Sequence, residues 1–370
     1  MDAEIVQSAR TCPTRPRVSD AEQVPDWHDR IRTRVLAELA GFLRDRRVEP
    51  VAGIALEPVL WQYAGRGKCV RSAFMYAGWL CGAGEHAAAL RACAAMELLH
   101  AFALLQDDVM DRSAARRGEP AAHLRFADQY RDRGLPGSAV RFGEAAATLL
   151  GDMCLVWSEQ MMRDSGVPAA ALARVWPHYD RMRTELALGQ FADLGNDIRT
   201  RPSLESVLAI ARAKSGDYTV KWPLVMGAAM AGCGELAGAA LGEYGRLIGE
   251  AFQLRDDVLG VYGRCAITGK PGDSDIAERK ASTLIVAAVE MARPGAREEL
   301  YSLLEAPALD EAAVGRVRVL ITATGAPARI EAMIGERVEA SRQVLSGANI
   351  PVRRRALLDA LATRCTTRRL

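Results

Sequence analysis

Apolar residues recur at three- and four-residue spacing along most of the chain, which is the period of an amphipathic α-helix. Segments such as WHDRIRTRVLAELAGFLRDR, LGEYGRLIGEAFQLRDDVLG and PARIEAMIGERVEASRQVL carry this spacing, and Gly/Pro-containing breaks such as RDRGLPGS, DSGVP and ARPG separate them. No segment alternates apolar and polar residues as a half-buried strand does, and no repeat of fixed period occurs. The pattern predicts an all-α protein, a single large helical bundle over residues 26–370, preceded by a flexible extension over residues 1–25.

Composition agrees with helices and excludes several classes of function. The chain is 49% hydrophobic and only 6% aromatic, and its net charge of +2 gives no reason to expect nucleic-acid binding. Eight scattered cysteines without a C-x-x-C pair predict reduced thiols in a cytoplasmic protein. The N-terminus lacks the apolar core of a secretory signal, and no uninterrupted apolar run reaches about 18 residues, so we expect no membrane span.

Carboxylates crowd the end of one otherwise apolar helix, which the pattern predicts over about residues 85–110. Asp107, Asp108 and Asp111 lie within little more than one turn, and Asp107 and Asp111 share one helical quadrant with Glu97 and His100. Like-charge repulsion and the helix dipole both disfavour carboxylates at this helix end. Carboxylates that are unfavourable for both of these reasons are expected at functional sites.

A second acidic cluster lies in another mainly apolar helix, in the segment EAFQLRDDVLG. Gln253, Asp256 and Asp257 share one face of this helix. If the two clusters face each other across the bundle, their oxygen ligands suit Mg²⁺, which usually bridges one or two carboxylates to substrate phosphates. The alternative is that each cluster is a solvated acidic patch at a helix end, and two clusters inside apolar helices make that alternative weaker.

Cationic side chains lie beside the acids and beside glycine turns, where they could surround a diphosphate. The candidates are Lys68, Arg71, Arg116, Arg117, Lys214, Lys270 and Lys280. The segment GKCVR opens a predicted helix, whose N–H groups also attract anions. This segment is not a nucleotide-binding P-loop, because Cys69 stands where Ser or Thr is required.

In this order the motifs resemble those of the trans-prenyl diphosphate synthase family, from about residue 30 to the C-terminus. The motifs are GK-x-x-R, E-L-x-H, DDVMDRSAARRG, GQ-x-x-D, KS and FQLRDDVLG. The resemblance implies an isoprenoid synthase type fold, with helices around a central cavity. It also implies Mg²⁺-dependent, head-to-tail condensation of isopentenyl diphosphate with an allylic diphosphate, which could be the dimethylallyl, geranyl or farnesyl compound.

The resemblance further implies roles for individual residues, with Asp108 counted among the catalytic aspartates. Asp107 and Asp111 would hold two Mg²⁺ ions, and Asp256, helped by Asp257, would hold a third. The allylic diphosphate would be contacted by Arg116, Lys214 and Lys270, with Ser215, Gln253 and Lys280 close by. Isopentenyl diphosphate would be bound by Lys68, Arg71, His100 and Arg117. Gly260 stands where the family has the last aspartate of the second motif, which weakens that motif without abolishing it.

Phe102 and Ala103 lie one helical turn before Asp107, where the growing product tail would end. An aromatic residue five positions before the first aspartate, followed by a small residue, resembles geranylgeranyl (C20) synthases. Farnesyl (C15) and longer products remain open, and so does the simpler interpretation that Phe102 only packs in the core.

Three other functions compete with this interpretation. A terpene cyclase shares the ionisation chemistry but has no use for an isopentenyl diphosphate site. A di-iron bundle would need a second E-x-x-H motif, and the chain has one. A non-catalytic partner subunit would typically have lost its aspartates, which are intact here. The family is usually homodimeric, and we expect the same of this chain by resemblance.

Overall fold

The computed structural model describes residues 24–263 and 274–367, and most of them lie in helices. The first ten helices are α1 (Val24–Arg46), α2 (Glu57–Ala64), α3 (Val70–Gly82), α4 (Ala87–Met110), α5 (Ala122–Asp132), α6 (Ala139–Arg163), α7 (Ala169–Leu194), α8 (Leu204–Ala211), α9 (Trp222–Ala231) and α10 (Glu235–Tyr262). Six more follow: α11 (Ser274–Ala277), α12 (Thr283–Met291), α13 (Pro294–Glu305), α14 (Glu311–Thr324), α15 (Ala326–Ser346) and α16 (Val352–Thr366). A 3₁₀ turn spans Ile198–Thr200. A π-helical segment, Arg212–Lys221, joins α8 to α9 without a break.

The predicted all-α class is confirmed, and helices cover the segments in which the apolar spacing predicted them. The sequence pattern missed a small hairpin in the loop after α4, where β1 (Ala115–Arg116) pairs antiparallel with β2 (Glu119–Pro120). Both residues of its turn, Arg117 and Gly118, have positive φ, at 56° and 78°. Two positive φ angles in succession are typical of the tight type I′ hairpin turn. Two-residue strands are too short to show an alternating pattern.

Two apolar clusters form the core, and α10 contributes to both. The first cluster gathers α3, α4, α6 and α9, whereas the second gathers α12, α14 and α15. On α10, Ile248 and Phe252 belong to the first cluster, and Leu254 and Val258 belong to the second. Because α10 is buried on most of its circumference, polar side chains on it must face a partner or a cavity.

Glycines allow the π segment to approach its neighbours closely. A Cβ atom at Gly189 of α7 would lie 2.5 Å from the backbone nitrogen of Lys214, and one at Gly249 of α10 would overlap the carbonyl of Gly216. The π segment is thus held between α7 and α10. π turns within α-helices are frequently found at functional sites.

One helix among the described residues, α4, is long and apolar enough to cross a membrane by length and composition alone. In this structure 67% of its most apolar 18-residue window is buried inside the bundle, and core helices of globular proteins pass the same test. The predicted N-terminal extension, residues 1–25, lies outside the described residues except for its last two positions, so this boundary stays a prediction. Five of the cysteines that the structure describes are free thiols: Cys69, Cys81, Cys93, Cys154 and Cys233.

Candidate active site

A cavity of about 470 Å³ opens between α4, the π segment and α10. Most of the predicted site residues line it: Lys68, Arg71, His100, Asp107, Arg116, Arg117, Lys214, Ser215, Gln253, Asp256, Asp257 and Lys280. These residues come from segments far apart in the sequence. The bundle therefore brings both acidic clusters and the cationic candidates to one place.

Asp107 faces the cavity and is bound by cations. The ammonium of Lys214 donates to Asp107 Oδ1 at 3.0 Å and to Asp193 Oδ2 at 2.6 Å. Burial alone would raise the pKa of Asp107, but the charges of Lys214 and Arg116 outweigh burial and lower it. Burial would lower the pKa of Lys214, but Asp107 and Asp193 raise it. Both groups are therefore charged at neutral pH.

Asp108, the next residue, is completely buried and does not line the cavity. Tyr63 Oη donates to its Oδ2 at 2.6 Å, and Arg116 Nε donates to both carboxylate oxygens at 3.0 Å. The same Tyr63 hydroxyl accepts a hydrogen bond from the backbone N–H of Ala122 at 2.9 Å. Asp108 thus fixes the β hairpin and the start of α5 against α4. Its contacts are structural, and the predicted catalytic role stays a prediction.

Asp111 caps the end of α4 and contacts Lys280 at 3.3 Å. Burial raises the pKa of Asp111, and the negative charge of Asp107 raises it further. Burial would lower the pKa of Lys280, but Glu278 and Asp111 raise it. The electrostatics at Asp111 therefore favour additional positive charge beside it.

The second acidic cluster repeats the arrangement of the first. Asp256 and Asp257 both line the cavity, and both carboxylate oxygens of Asp257 also accept hydrogen bonds from the protein. Gln253 Nε2 donates to Asp257 Oδ1 at 2.7 Å, and Thr283 donates to Oδ2 from its N–H at 2.8 Å and from its hydroxyl at 2.5 Å. Burial raises the pKa of Asp257. Asp257 therefore fixes the start of α12 onto α10.

A second group of cations, Lys68, Arg71 and Arg117, lines the same cavity. Arg71 donates to Thr219 Oγ1 at 2.9 Å, and its guanidinium lies 4.3 Å from the ring centroid of Tyr218. Arg117 donates to the carbonyl of Gln62 at 2.8 Å. These side chains are held by neighbours that the sequence separates widely.

His100 lies among these cations with its Nδ1 buried and without a hydrogen-bond partner in the described parts of the chain. Burial, together with the charges of Arg71 and Arg117, moves the pKa of His100 well below its usual value. The imidazole is therefore neutral at physiological pH. Glu97, one turn earlier, accepts a hydrogen bond from Ser72 at 2.7 Å, and burial raises its pKa.

A pH dependence follows from the neutral imidazole of His100. The unfolded chain protonates this side chain near pH 6.5, whereas the folded chain resists protonation to much lower pH. Acidification below about pH 6.5 therefore favours unfolding, by up to about 1.4 kcal/mol per pH unit for this group. Urea unfolding of His100→Gln at about pH 7.5 and 5.5 should show a smaller loss of stability on acidification than the wild type. His86→Gln, which alters an exposed histidine, should behave like the wild type, and equal slopes in all three proteins would contradict the assignment.

Some predicted residues do not line the cavity, and one of them is Asp111, a predicted metal ligand at the end of α4. Phe102 and Ala103 are partly buried against the core and do not line it, whereas Leu104 does. Lys270 lies outside the described residues. The role of Phe102 and Ala103 in setting product length stays a prediction.

The cavity also contains residues to which the sequence analysis gave no role. Asp193 binds Lys214, Thr219 binds Arg71, and Asp275 also lines the cavity. The GQ-x-x-D motif contained a signal for Asp193. Nothing in the local pattern indicated Asp275, which lies in a short helix after the second acidic cluster.

The donor set fits a hard divalent cation. Asp107 and Asp256 supply carboxylate oxygens to one cavity from two helices, and oxygen ligands suit Mg²⁺. Within residues 24–263 and 274–367 no three carboxylate, imidazole or thiol side chains converge closely enough to hold a metal by themselves. Mg²⁺ characteristically takes one or two carboxylates and completes its shell with waters and substrate phosphates, which agrees with this arrangement.

An all-helical bundle whose cavity presents aspartates from two helices beside fixed cations defines an isoprenoid synthase. The sequence profile of the polyprenyl synthetase family matches residues 55–321. The chain belongs to this family and is a trans-prenyl diphosphate synthase.

Individual relatives agree with this assignment. The chain is 31% identical over 311 residues to a geranylgeranyl diphosphate synthase of Mycobacterium tuberculosis, covering 81% of this chain and 83% of the relative. A (2E,6E)-farnesyl diphosphate synthase of Mycobacterium bovis is 36% identical over 217 residues, covering 58% and 54%. A geranylgeranyl pyrophosphate synthase of Corynebacterium glutamicum, solved with isoprenyl diphosphate and magnesium, superposes with a TM-score of 0.86 at 34% identity, covering 94% and 99%.

Proposed function

We propose that the chain condenses isopentenyl diphosphate with allylic diphosphates in a Mg²⁺-dependent reaction and releases geranylgeranyl diphosphate (C20). The observation that carries this proposal is the placement of Asp107 and Asp256, on separate helices, in the wall of one cavity lined by six cationic side chains. Carboxylates and cations arranged in this way suit a polyanionic diphosphate held through divalent ions.

Asp107, Asp111 and Asp256 would hold Mg²⁺, and we propose three ions, as the family resemblance implies. When bound, the metal supplies positive charge to the diphosphate oxygens as the allylic C–O bond breaks. The similar C. glutamicum structure was solved with magnesium and isoprenyl diphosphate, which supports the choice of ion.

The side chains around the acids would hold the allylic diphosphate. Lys214 and Arg116 stand beside Asp107, and Lys280 stands beside Asp111. Their positions are fixed by the carboxylates, so they need little rearrangement when negative charge develops on the leaving diphosphate. Preorganised charge of this kind is a large contribution to catalysis in general.

The second group of cations would hold isopentenyl diphosphate. Arg71, Arg117 and Lys68 supply positive charge, and the neutral His100 offers its unpartnered Nδ1 to a diphosphate oxygen or its water. The double bond of isopentenyl diphosphate attacks the allylic carbocation, forming the new C–C bond, and a proton then leaves to the departing diphosphate. Apolar lining residues, among them Leu104 and Phe252, limit the water that would quench the cation.

The test is incubation of the protein with radiolabelled isopentenyl diphosphate, Mg²⁺ and each allylic primer, followed by sizing of the dephosphorylated products. Labelled C20 alcohol is expected, and chelation with EDTA should abolish it until Mg²⁺ is restored. Elongation that is equally fast after chelation would refute the metal dependence. Conversion of an allylic diphosphate alone into a hydrocarbon would instead favour the terpene cyclase alternative.

Phe102→Ala is expected to shift the products to longer chains. The smaller side chain would no longer limit the length of the prenyl tail that extends from the diphosphate held at Asp107. The measurement is the same product sizing. Phe142→Ala is the matched control, since Phe142 packs partly buried against Tyr130, with ring centroids 4.3 Å apart, and should leave the products unchanged. Identical product distributions in both variants would show that Phe102 only packs in the core and does not set product length.

We further propose a homodimer in the cytoplasm. Exposed apolar side chains on α6 and α7 supply surface for a partner: Leu149, Val156, Leu188, Phe191 and Leu194. Phe191→Glu should then produce a monomer in light scattering, and a monomeric wild type would refute the dimer. The free thiols of Cys69, Cys81, Cys93, Cys154 and Cys233 support a reducing compartment, which cell fractionation would test.

A further inference from the structure

The two acidic clusters differ at one position. In the first, Asp107 is followed four residues later by Asp111, whereas in the second Asp256 is followed four residues later by Gly260. Residues four apart share a helix face, so α10 lacks a carboxylate where α4 has one. Gly260 nevertheless lines the cavity.

The side chain of Asp275 occupies the space that the missing side chain would fill. An ideal Cβ atom at Gly260 would lie 2.5 Å from Cγ and 2.7 Å from Oδ1 of Asp275, and closer still to Oδ2. A residue larger than glycine at position 260 would therefore displace this carboxylate. Except for proline, glycine is the least favourable residue inside a helix, so its presence in α10 calls for a reason of this kind.

The rest of α11 fixes Asp275 in this position. Ile276, the next residue, is completely buried in the second apolar cluster. The backbone carbonyl of Asp275 accepts a hydrogen bond from the N–H of Lys280 at 2.9 Å, which links it to the cation that contacts Asp111. Asp275 thus lines the same cavity as Asp256, on a short element that is packed into the core.

We propose that Asp275 replaces the carboxylate that the second acidic cluster lacks at Gly260, and that it serves the divalent cation held by Asp256. This inference rests on the proposed function, because it assigns a residue to the same metal site. The carboxylate is supplied from α11 across the space left by glycine, instead of from the next turn of α10.

The inference is tested by moving the carboxylate between the two positions. The variants are Asp275→Ala, Gly260→Asp and the double variant Gly260→Asp with Asp275→Ala. The affinity for Mn²⁺ in the presence of inorganic pyrophosphate is measured by electron paramagnetic resonance. Asp275→Ala should bind Mn²⁺ about 10- to 100-fold more weakly than the wild type. Gly260→Asp alone should lower the thermal midpoint, because the new side chain overlaps Asp275.

The double variant separates a ligand role from simple packing, because it restores one carboxylate without the overlap. Its Mn²⁺ affinity should return to within a few fold of the wild type. The exposed Asp132→Ala is the control and should bind normally. Asp275→Asn, which keeps the shape of the side chain, replaces Asp275→Ala should the latter fail to fold.

Unchanged Mn²⁺ affinity in the Asp275 variants, or a double variant no better than Asp275→Ala, would overturn the inference. Wild-type elongation of an allylic primer is measured in the same preparations. Failure of the wild type to elongate would overturn the proposed function, whereas active wild type with normal Mn²⁺ binding in Asp275→Ala would overturn the role of Asp275 alone.

Discussion

Replacing Asp107 by asparagine should lower the rate of prenyl transfer by roughly 10³-fold, which is the upper part of the range for removing one preorganised electrostatic group. The carboxylate faces the cavity and contacts Lys214 at 3.0 Å, so its charge is available to the proposed metal and substrate. The turnover number is measured with radiolabelled isopentenyl diphosphate at saturating primer. The fold should remain, because Lys214 keeps its contact with Asp193.

Asp128→Asn is the matched control for this change. Asp128 is exposed on α5 and pairs with Arg131 at 2.6 Å on the same helix, so its loss should leave turnover unchanged. If Asp107→Asn stays within about tenfold of the wild type, less than the loss of one electrostatic group predicts, the carboxylate does not carry the charge that the proposed function requires.

The neighbouring substitution, Asp108→Asn, should instead destabilise the fold. It leaves the guanidinium of Arg116 largely buried without the carboxylate that accepts its hydrogen bonds. Removing one partner of a buried ion pair costs about 3–5 kcal/mol in the free energy of unfolding. Urea unfolding measured by circular dichroism gives this quantity directly.

Tyr63→Phe removes one hydrogen bond to Asp108 and keeps the ion pair. It should therefore cost less, about 1–3 kcal/mol. Equal stability of Asp108→Asn and the wild type would show that Arg116 does not need this carboxylate in the folded state.

The sequence predicted the helices and the motifs whose residues line the cavity, because each helix and each motif consists of residues that are close together along the chain. Helical periodicity needs only a window of about 11 to 18 residues. The motifs that carry Asp107 and Asp256 are similarly local. Their placement on separate helices that meet at one cavity followed from the family resemblance, and the structure has this arrangement.

The hydrogen bonds that hold Asp108 and Asp257 could not be predicted, because their partners are distant in the sequence. Tyr63 is 45 residues from Asp108, and Thr283 is 26 residues from Asp257. Asp275 could not be predicted for the same reason. Its carboxylate lies against Gly260 only once α11 has packed onto α10. Local patterns identify charged residues but not the side chains that will form hydrogen bonds or ion pairs with them.

The π segment between α8 and α9 has a consequence for how this enzyme can change. A wide turn holds an additional residue, and each residue advances a helix by about 100°. Deleting one residue from 212–221 would restore ordinary helical winding and turn Lys214 away from Asp107, or else turn α9 away from α3. Point substitutions can therefore accumulate along this stretch more readily than changes of length.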